Sequence, residues 1–212
     1  MINYAIDVLL IIILFALFGF IHTFLASDKV KQILLERYES LIAFYRLVYV
    51  LGSLLLFYLI YQSFPKPRLI IYDLPNPFDL IILIPQFLSL AGIIWVLKYF
   101  SVQEFLGIRQ IFRWFNKEYS ITEKDERLTF RYNGPYKICR HPLYLFFILF
   151  LSFRPEMDLF YLTALFCIII YFYIGSIFEE KKLIERFGIK YIKYQESIPR
   201  IFPLKFKRHI PD

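Results

Sequence analysis

The stretch Gly134–Tyr144 gathers rigid, cationic and aromatic residues at the start of a long apolar run. A Gly-Pro pair at its beginning predicts a turn, and Pro142 fits the first turn of a helix, where its missing N–H costs nothing. Arg140 and His141 would then lie at a membrane boundary, beside the positive end of that helix. A ligand with carboxylate or phosphate character, or a polar ligand that needs several donors, would bind well there.

An acidic pair, Glu179 and Glu180, follows the last apolar run. At a membrane boundary a carboxylate can accept hydrogen bonds from ligand hydroxyls, or balance a cation, without the cost of the bilayer centre. If the last two apolar runs form an antiparallel hairpin, this pair lies close to Arg140 and His141. A purely structural interpretation is also open. Residues at a membrane boundary are often charged, and an Arg–Glu contact would then only hold the two arms of the hairpin together.

Three more polar residues stand outside that group. His22 lies late in the first apolar run, where an ionisable residue is a site candidate by default, although a hydrogen bond between helices would also explain it. Arg109 and Gln110, taken alone, are interpreted as interfacial anchors. Since His22, His141 and His209 lack ligand-like spacing, no metal centre is predicted.

The composition predicts an integral membrane protein. Of the 212 residues, 58% are apolar and 21% aromatic, and the apolar residues fall in long unbroken blocks. The net charge of +7 could suggest nucleic acid, but the cations cluster in loops that flank apolar blocks, as membrane topology arranges them. We therefore predict a lipid bilayer and no nucleic acid as partner. Cys139 and Cys167 lie in a loop and in an apolar block, so no disulfide is expected.

Five transmembrane helices are predicted to position these residues within a single domain, 1–212. Three spans precede the hairpin, at about 5–26, 44–63 and 78–100, and the two hairpin arms cover about 140–153 and 159–178. An interfacial helix is predicted over 102–115, because apolar and charged residues interleave there. A cytosolic amphipathic helix is predicted after Lys181, interrupted at Gly188 and ended by the segment 197–200. The fold class is therefore an all-α membrane protein.

The Lys and Arg residues predict the orientation of the spans. The loops after the first and third spans and the tail to Arg208 are basic, whereas the loop after the second span and the hairpin tip carry few cations. The positive-inside rule then places the N-terminus outside, and the C-terminus and the Arg140–His141 pair in the cytosol. The middle of the third loop, 116–129, is charged and expected to be exposed.

Two groups of motifs carry a family resemblance. The C-terminal group comprises Gly134-Pro135-Tyr136, Arg140-His141-Pro142-Leu143-Tyr144, Glu179-Glu180, Pro199-Arg200 and Pro203. It resembles the signature of the isoprenylcysteine carboxyl methyltransferase superfamily of membrane methyltransferases. The N-terminal group comprises His22-Thr23-Phe24-Leu25-Ala26, Phe105-Leu106-Gly107-Ile108-Arg109-Gln110 and Pro155-Glu156-Met157. It resembles the branch that contains methanethiol S-methyltransferases and NnrU-type proteins.

The resemblance implies a cofactor and a site. Members of the superfamily enclose S-adenosylmethionine with the hairpin and the C-terminal segment, here about 132–204, at the cytosolic face and without a Rossmann domain. The residues implied to line the cofactor pocket are Tyr136, Arg140, His141, Pro142 and Tyr144, with Glu179 or Glu180 accepting from the ribose hydroxyls. Adjacent residues on a helix differ by about 100°, so only one of the two carboxylates is expected to point inward. His22, Arg109 and Gln110 are implied to face the methyl acceptor.

The function expected from this resemblance is S-adenosylmethionine-dependent methyl transfer to a small or lipophilic thiol by in-line displacement. His22 as proton acceptor, or Arg109 as a nearby positive charge, would help to form the thiolate. A carboxyl or amine acceptor, prenylcysteine-like or phospholipid, is the second candidate, and Arg200 would hold its carboxylate or phosphate. A non-catalytic scaffold or sensor is a third candidate, and a sterol-type reductase is a fourth, although the short chain argues against a reductase. No obligate protein partner is predicted.

Overall fold

The computed structural model describes residues 2–120, 127 and 129–203, and it is 74% helical. In chain order the elements are α1 (Ile2–Leu25), α2 (Asp28–Arg37), α3 (Ile42–Ser63), β1 (Ile70–Asp73), α4 (Phe78–Leu97), α5 (Val102–Phe105), α6 (Ile108–Phe115), α7 (Pro142–Ser152), β2 (Glu156–Asp158), α8 (Leu159–Phe187) and α9 (Ile189–Ser197). Part of the loop 116–129 and of the basic tail, including His209, lies outside the described residues.

The chain divides into two compact units. One comprises residues 1–12, 66–100 and 128–212, and the other comprises 13–65 and 101–127. The first unit thus contains α4 and α7 to α9, and the second contains α2, α3, α5 and α6. A single domain over the whole chain stays a prediction.

Four helices are long and apolar enough to cross a membrane: Asn3–Leu25, Ile42–Ser63, Phe78–Leu97 and Leu159–Phe187. Apart from the charged last turns of Leu159–Phe187, apolar residues cover most faces of these helices, as lipid surroundings require, because no water is present there to solvate polar groups. The four helices agree to within a few residues with the first three predicted spans and with the start of the last one.

The first arm of the predicted hairpin is shorter than a span. α7 begins at Pro142, as expected from the fit of proline to a first helical turn, and its 11 residues end at Ser152. This length corresponds to about 16 Å, roughly half of a hydrocarbon core of about 30 Å. The described residues therefore contain four helices of full length and one of half length, where five were predicted, and the number of crossings stays a prediction.

A two-stranded antiparallel sheet in the first unit was not predicted from the sequence. Tyr72 pairs with Met157 and Asp73 with Glu156, so that β1 and β2 lie side by side. β1 precedes α4 and β2 follows α7, which places the start of α4 and the chain after α7 at the same end of the unit. The residues between α7 and β2 thereby lead the chain to β1, which precedes the start of α4.

Two close contacts align α7 with α4. A Cβ atom on Gly92 would lie 2.4 Å from the ring of Phe146, so the helices approach closely at this glycine. Just before α7, Gly134 has a positive φ of 61° and packs against the ring of Tyr99, which a Cβ would approach to 2.3 Å. Any other residue at Gly134 would be strained both in its backbone and against this ring.

α8 continues beyond the predicted end of the last span. Glu179 and Glu180 therefore lie within this 29-residue helix and not at its end. The extension is stabilised by an apolar cluster around Tyr191 and Tyr194, which packs against the last turns of α8. Gly188, with φ of 58°, separates α8 from α9, and α9 ends at Ser197; both boundaries agree with the prediction.

In the second unit the predicted interfacial helix is two helices. Gly107 has a φ of 85°, and a Cβ at this position would lie 2.5 Å from the backbone nitrogen of Leu47 in α3. This close approach breaks the segment into α5 and α6. α6 is amphipathic, with Phe112 and Phe115 exposed and Gln110 buried. The polar helix α2, which Ser27 caps through the Val30 N–H, was not predicted.

Candidate active site

The first unit brings the Arg140–His141 pair and the Glu179–Glu180 pair together. The Arg140 guanidinium binds the Glu180 carboxylate through two nitrogens of one edge, Nε to Oε1 at 2.7 Å and Nη2 to Oε2 at 3.2 Å. The His141 ring lies between the two carboxylates, with Nε2 3.1 Å from Glu180 Oε1 and Nδ1 3.5 Å from Glu179 Oε2. The predicted juxtaposition is therefore present in the structure.

Backbone hydrogen bonds also hold this geometry, independently of the side chains. The Arg140 N–H donates to the Pro199 carbonyl at 2.9 Å, and the His141 N–H donates to the Arg200 carbonyl at 3.0 Å. Pro142 then starts α7 without needing a hydrogen bond of its own. The segment before α7 is thus paired with the segment after α9, and both lie beside α8.

Glu180 is the buried centre of the cluster. Its carboxylate, 2% exposed, accepts from Arg140 Nε and His141 Nε2 on Oε1, and from Arg140 Nη2, Gln195 Nε2 and Arg200 Nη2 on Oε2. A carboxylate offers about four lone-pair positions. These donors leave Glu180 no capacity for a ligand, and the buried charge is balanced by the guanidinium groups around it.

Glu179 has the opposite character. Its side chain is 51% exposed, and it accepts a hydrogen bond from the Tyr144 hydroxyl at 3.1 Å. The Tyr144 ring is stacked between His141, at a centroid distance of 5.2 Å, and Phe172, at 4.4 Å. An accessible carboxylate beside a row of parallel rings suits a ligand that has both hydroxyl groups and a flat ring.

Tyr136 lies at the edge of the same cluster. Its carbonyl accepts a hydrogen bond from Tyr194 at 2.6 Å, which ties the turn before α7 to α9. Burial raises the pKa of the Tyr136 hydroxyl, and the negative charge of Glu179 acts in the same direction. The phenol therefore stays protonated and can donate a hydrogen bond.

The protonation of His141 is set by two opposing effects. Burial alone would lower its pKa, but the hydrogen bonds and charges of Glu179 and Glu180 outweigh burial and raise the pKa above the ordinary value. The raised pKa favours the cationic form of His141, in which both ring nitrogens donate. The acidic pair is then matched by positive charge on several sides.

Arg200 and Gln195 complete the cluster from the C-terminal segment. Arg200 also places its guanidinium 5.4 Å from the centroid of the Tyr173 ring, and its Nε is buried with no hydrogen-bond partner among the described residues. Gln195 was missed by sequence reasoning, because an amide on a polar helix gives no signal of its own. Arg140 Nη1 further donates to the carbonyls of Gln195 and Ile198.

The residues predicted to face the methyl acceptor lie in the second unit. His22 on α1 contacts the Tyr49 hydroxyl at 2.8 Å through Nε2. Arg109 is exposed and donates to Gln103 at 3.2 Å, whereas Gln110 is buried and donates to the Glu104 carbonyl at 2.8 Å. Their role towards an acceptor stays a prediction.

Sequence reasoning did not single out two other charged residues of the second unit. Arg46 is buried on α3 and donates through Nε to the Phe105 carbonyl at 2.8 Å. Glu104 binds the guanidinium of Arg113 with both oxygens at 2.8 Å and accepts from the Arg127 N–H. Burial would raise the pKa of Glu104, but these donors hold it below its ordinary value. Both residues fasten α5 and α6 in place.

No cluster of three or more His, Cys, Asp or Glu residues that could hold a metal ion occurs in the described part of the chain.

The chain is similar to several proteins named methanethiol S-methyltransferase. It is 29% identical to methanethiol S-methyltransferase 1 of Bradyrhizobium diazoefficiens over 202 residues, 92% of this chain and 67% of that protein. It is 29% identical to the Crocosphaera subtropica enzyme over 166 residues, 77% of this chain and 62% of that protein. A shorter match, 41% identical over 68 residues, covers 32% of this chain and 26% of the Pseudomonas deceptionensis enzyme.

The chain thus spans about two thirds of the length of the first two of these relatives and about a quarter of the third. No known family profile matches the chain. No solved structure matches it either.

Proposed function

We propose that this protein is an integral membrane methyltransferase that transfers a methyl group from S-adenosylmethionine to a thiol. The observation that carries the proposal is the accessible Glu179 carboxylate, which lies beside stacked rings and is backed by the Arg140–Glu180 cluster. The similarity to proteins named methanethiol S-methyltransferase over 92% and 77% of the chain supports the reaction class.

The residues of the cluster fit S-adenosylmethionine. Glu179 would accept from the ribose hydroxyls, because Glu180 is saturated by protein donors and Glu179 is not. The rings of Tyr144, His141 and Tyr136 offer flat and polar contacts for a nucleoside. The buried Nε of Arg200, which has no partner among the described residues, suits the carboxylate of the methionine portion. When bound, S-adenosylmethionine supplies an electrophilic methyl group.

The acceptor thiol must lose its proton before its sulfur can attack the methyl group. A thiol of ordinary pKa, about 8.5, is mostly protonated at neutral pH, so a proton acceptor accelerates the reaction. His22 is the residue proposed for this role, and Arg109 and Gln110 are proposed to contact the acceptor. Exclusion of water around thiolate and sulfonium favours the displacement, since opposite charges attract more strongly at low dielectric constant.

The reaction is proposed to take place at the cytosolic face, with the N-terminus outside. The cationic loops after the first and third spans support this orientation.

The proposal is tested with purified protein in lipid nanodiscs. Calorimetry should detect S-adenosylmethionine binding by the wild type, and Glu179→Gln should weaken it about tenfold, because one charge-assisted hydrogen bond contributes about 1.5 kcal/mol. Unchanged affinity in Glu179→Gln would remove Glu179 from the cofactor site. Tyr132→Phe, an exposed tyrosine outside the cluster, is the control.

The acceptor class is tested with methyl-labelled cofactor and a panel of acceptors. Label in a volatile thioether supports a thiol acceptor. Base-labile label would instead indicate a methyl ester, with Arg200 holding the carboxylate of the acceptor. Nucleoside binding, or its absence, with no turnover on any acceptor would indicate a scaffold or sensor.

A further inference from the structure

His22 and Tyr49 form a contact inside the second unit whose purpose the preceding sections leave open. The Tyr49 hydroxyl lies 2.8 Å from His22 Nε2 and 3.1 Å from His22 Nδ1. The two ring centroids are 5.1 Å apart. A phenol in this position can hold the imidazole in one orientation and fix which ring nitrogen carries the proton.

The face of α3 that carries Tyr49 continues with Ser53 and Phe57 at intervals of four residues, so the three side chains follow one another along the same side of the helix. Phe57 meets the edge of Phe18 on α1 at a centroid distance of 5.3 Å. Phe18 also lies 5.4 Å from the His22 ring. We call this set, Phe18, His22, Tyr49, Ser53 and Phe57, the Tyr49 face.

Ser53 is the unusual member of the Tyr49 face. Its Oγ is buried and has no hydrogen-bond partner among the described residues. A serine in a helix normally donates to the carbonyl four residues before it, as Ser63 of the same helix does to Leu59 at 3.2 Å. A buried hydroxyl without a partner is destabilising, and a ligand with a polar atom would remove that cost.

We propose that the Tyr49 face binds the thiol acceptor, with Ser53 Oγ as a contact to the thiol and Tyr49 as the residue that positions His22. This inference depends on the proposed function. The S–H bond breaks, its proton passes to a ring nitrogen of His22, and the electron pair stays on sulfur. Sulfur then forms the new bond to the methyl carbon, and the bond from that carbon to the sulfonium sulfur breaks.

The Tyr49 face also restricts the size of the acceptor. It is bounded at one end by the His22–Tyr49 contact and at the other by the Phe18–Phe57 contact, in which the rings touch. Ser53 lies between these two contacts along α3. We therefore expect a short alkanethiol to bind and a prenyl-length chain not to bind, because the longer chain would have to separate the two phenylalanine rings.

The test uses the full-length protein in nanodiscs with ¹⁵N-labelled histidine and ethanethiol as the probe. The His22 resonances are assigned from their loss in His22→Gln. Ethanethiol should shift them in a saturable way in the wild type and more weakly in Ser53→Ala. Tyr49→Phe should still bind ethanethiol, but its His22 shifts should be smaller, because the imidazole is no longer held in position. Tyr58→Phe, 58% exposed on the same helix, should behave as the wild type. A His22 signal that ignores ethanethiol, or that responds equally in Tyr49→Phe, would overturn the inference.

Kinetics provide the second readout. Tyr49→Phe should lower kcat about 10- to 100-fold near pH 7 with little change in KM, because general base catalysis contributes about 100- to 10,000-fold and a misplaced base loses part of that factor. The deficit should shrink as the pH rises, because a growing fraction of the thiol then ionises without help. An equal loss at every pH would show that Tyr49 is merely structural and would contradict the inference. If the protein transfers methyl groups but ethanethiol does not shift the His22 resonances, the inference alone is refuted. If ethanethiol shifts the His22 resonances but no methyl transfer occurs, the proposed function alone is refuted.

Discussion

At the scale of single residues, the two adjacent glutamates differ in environment: Glu180 is buried among protein donors, and Glu179 is accessible. Their types and the hairpin were enough to predict that they meet Arg140 and His141. Which glutamate is accessible could not be predicted, because it depends on Gln195 and Arg200, which approach Glu180 from a distant segment. The sequence pattern carries no information about this approach.

We expect Glu180→Gln to destabilise the protein far more than Glu179→Gln does. The Arg140 side chain, 8% exposed, would be left as a buried cation without its counter-ion, which costs about 3–5 kcal/mol. The measurement is apparent Tm in detergent, and Glu179→Gln, which removes a half-exposed charge, is the matched control. Equal Tm losses in the two variants would show that Glu180 is not the centre of the cluster.

The raised pKa of His141 predicts a pH dependence of stability. A group whose pKa is higher in the folded state contributes stability that is complete below its unfolded pKa, about 6.5, and is lost as the pH rises through the folded pKa. The Tm difference between wild type and His141→Gln should therefore be largest below about pH 6.5 and should shrink at higher pH. A difference that grows with pH would contradict this assignment.

At the scale of the elements, periodicity predicted the long helices but not the small ones. The long apolar runs predicted four spans because a membrane helix is defined by composition along its own length. The strands β1 and β2 are too short for a pattern, and each forms only because the other lies beside it. The break between α5 and α6 likewise depends on the approach of Gly107 to α3, a tertiary contact that propensity does not contain.

Gly134→Ala should disturb the turn that aims Arg140 and His141. The new Cβ would clash with the Tyr99 ring, and alanine is strained at a φ of 61°, so we expect a loss of about 1–3 kcal/mol. Cofactor affinity should fall with it, because the turn is bonded to α9 through Tyr136. Gly52→Ala, with nothing within 4 Å of the new atom, is the control in a helix of the second unit. An unaltered Tm in Gly134→Ala would contradict the close contact.

At the scale of the whole molecule, the orientation in the membrane depends on the number of crossings. Composition predicted a membrane protein, and the four span-length helices agree with this. A fifth crossing stays a prediction, because α7 covers only about half of a bilayer and extended residues lead on from it to β2. The sequence predicted the end of this arm at about 153, but it did not predict that the residues beyond it pair with β1.

Single cysteines at exposed lysines test the orientation. Lys66→Cys should react with an impermeant maleimide from outside intact cells, whereas Lys190→Cys should react only in inverted vesicles. Cys167→Ser provides the background, and the buried Cys139, whose pKa burial raises to about 12, should stay unreactive. Labelling of both positions from the same side would exclude five crossings.

The donors around Glu180 are not synthesised together. Arg140 and His141 precede Glu180 by 40 and 39 residues in the chain, whereas Gln195 and Arg200 follow it by 15 and 20. While the ribosome is still producing α9, the carboxylate can be neutralised only from the N-terminal side. Biogenesis therefore ends with the tail folding back onto an already inserted helix, and a nascent chain arrested before Gln195 would carry Glu180 without the donors of Gln195 and Arg200.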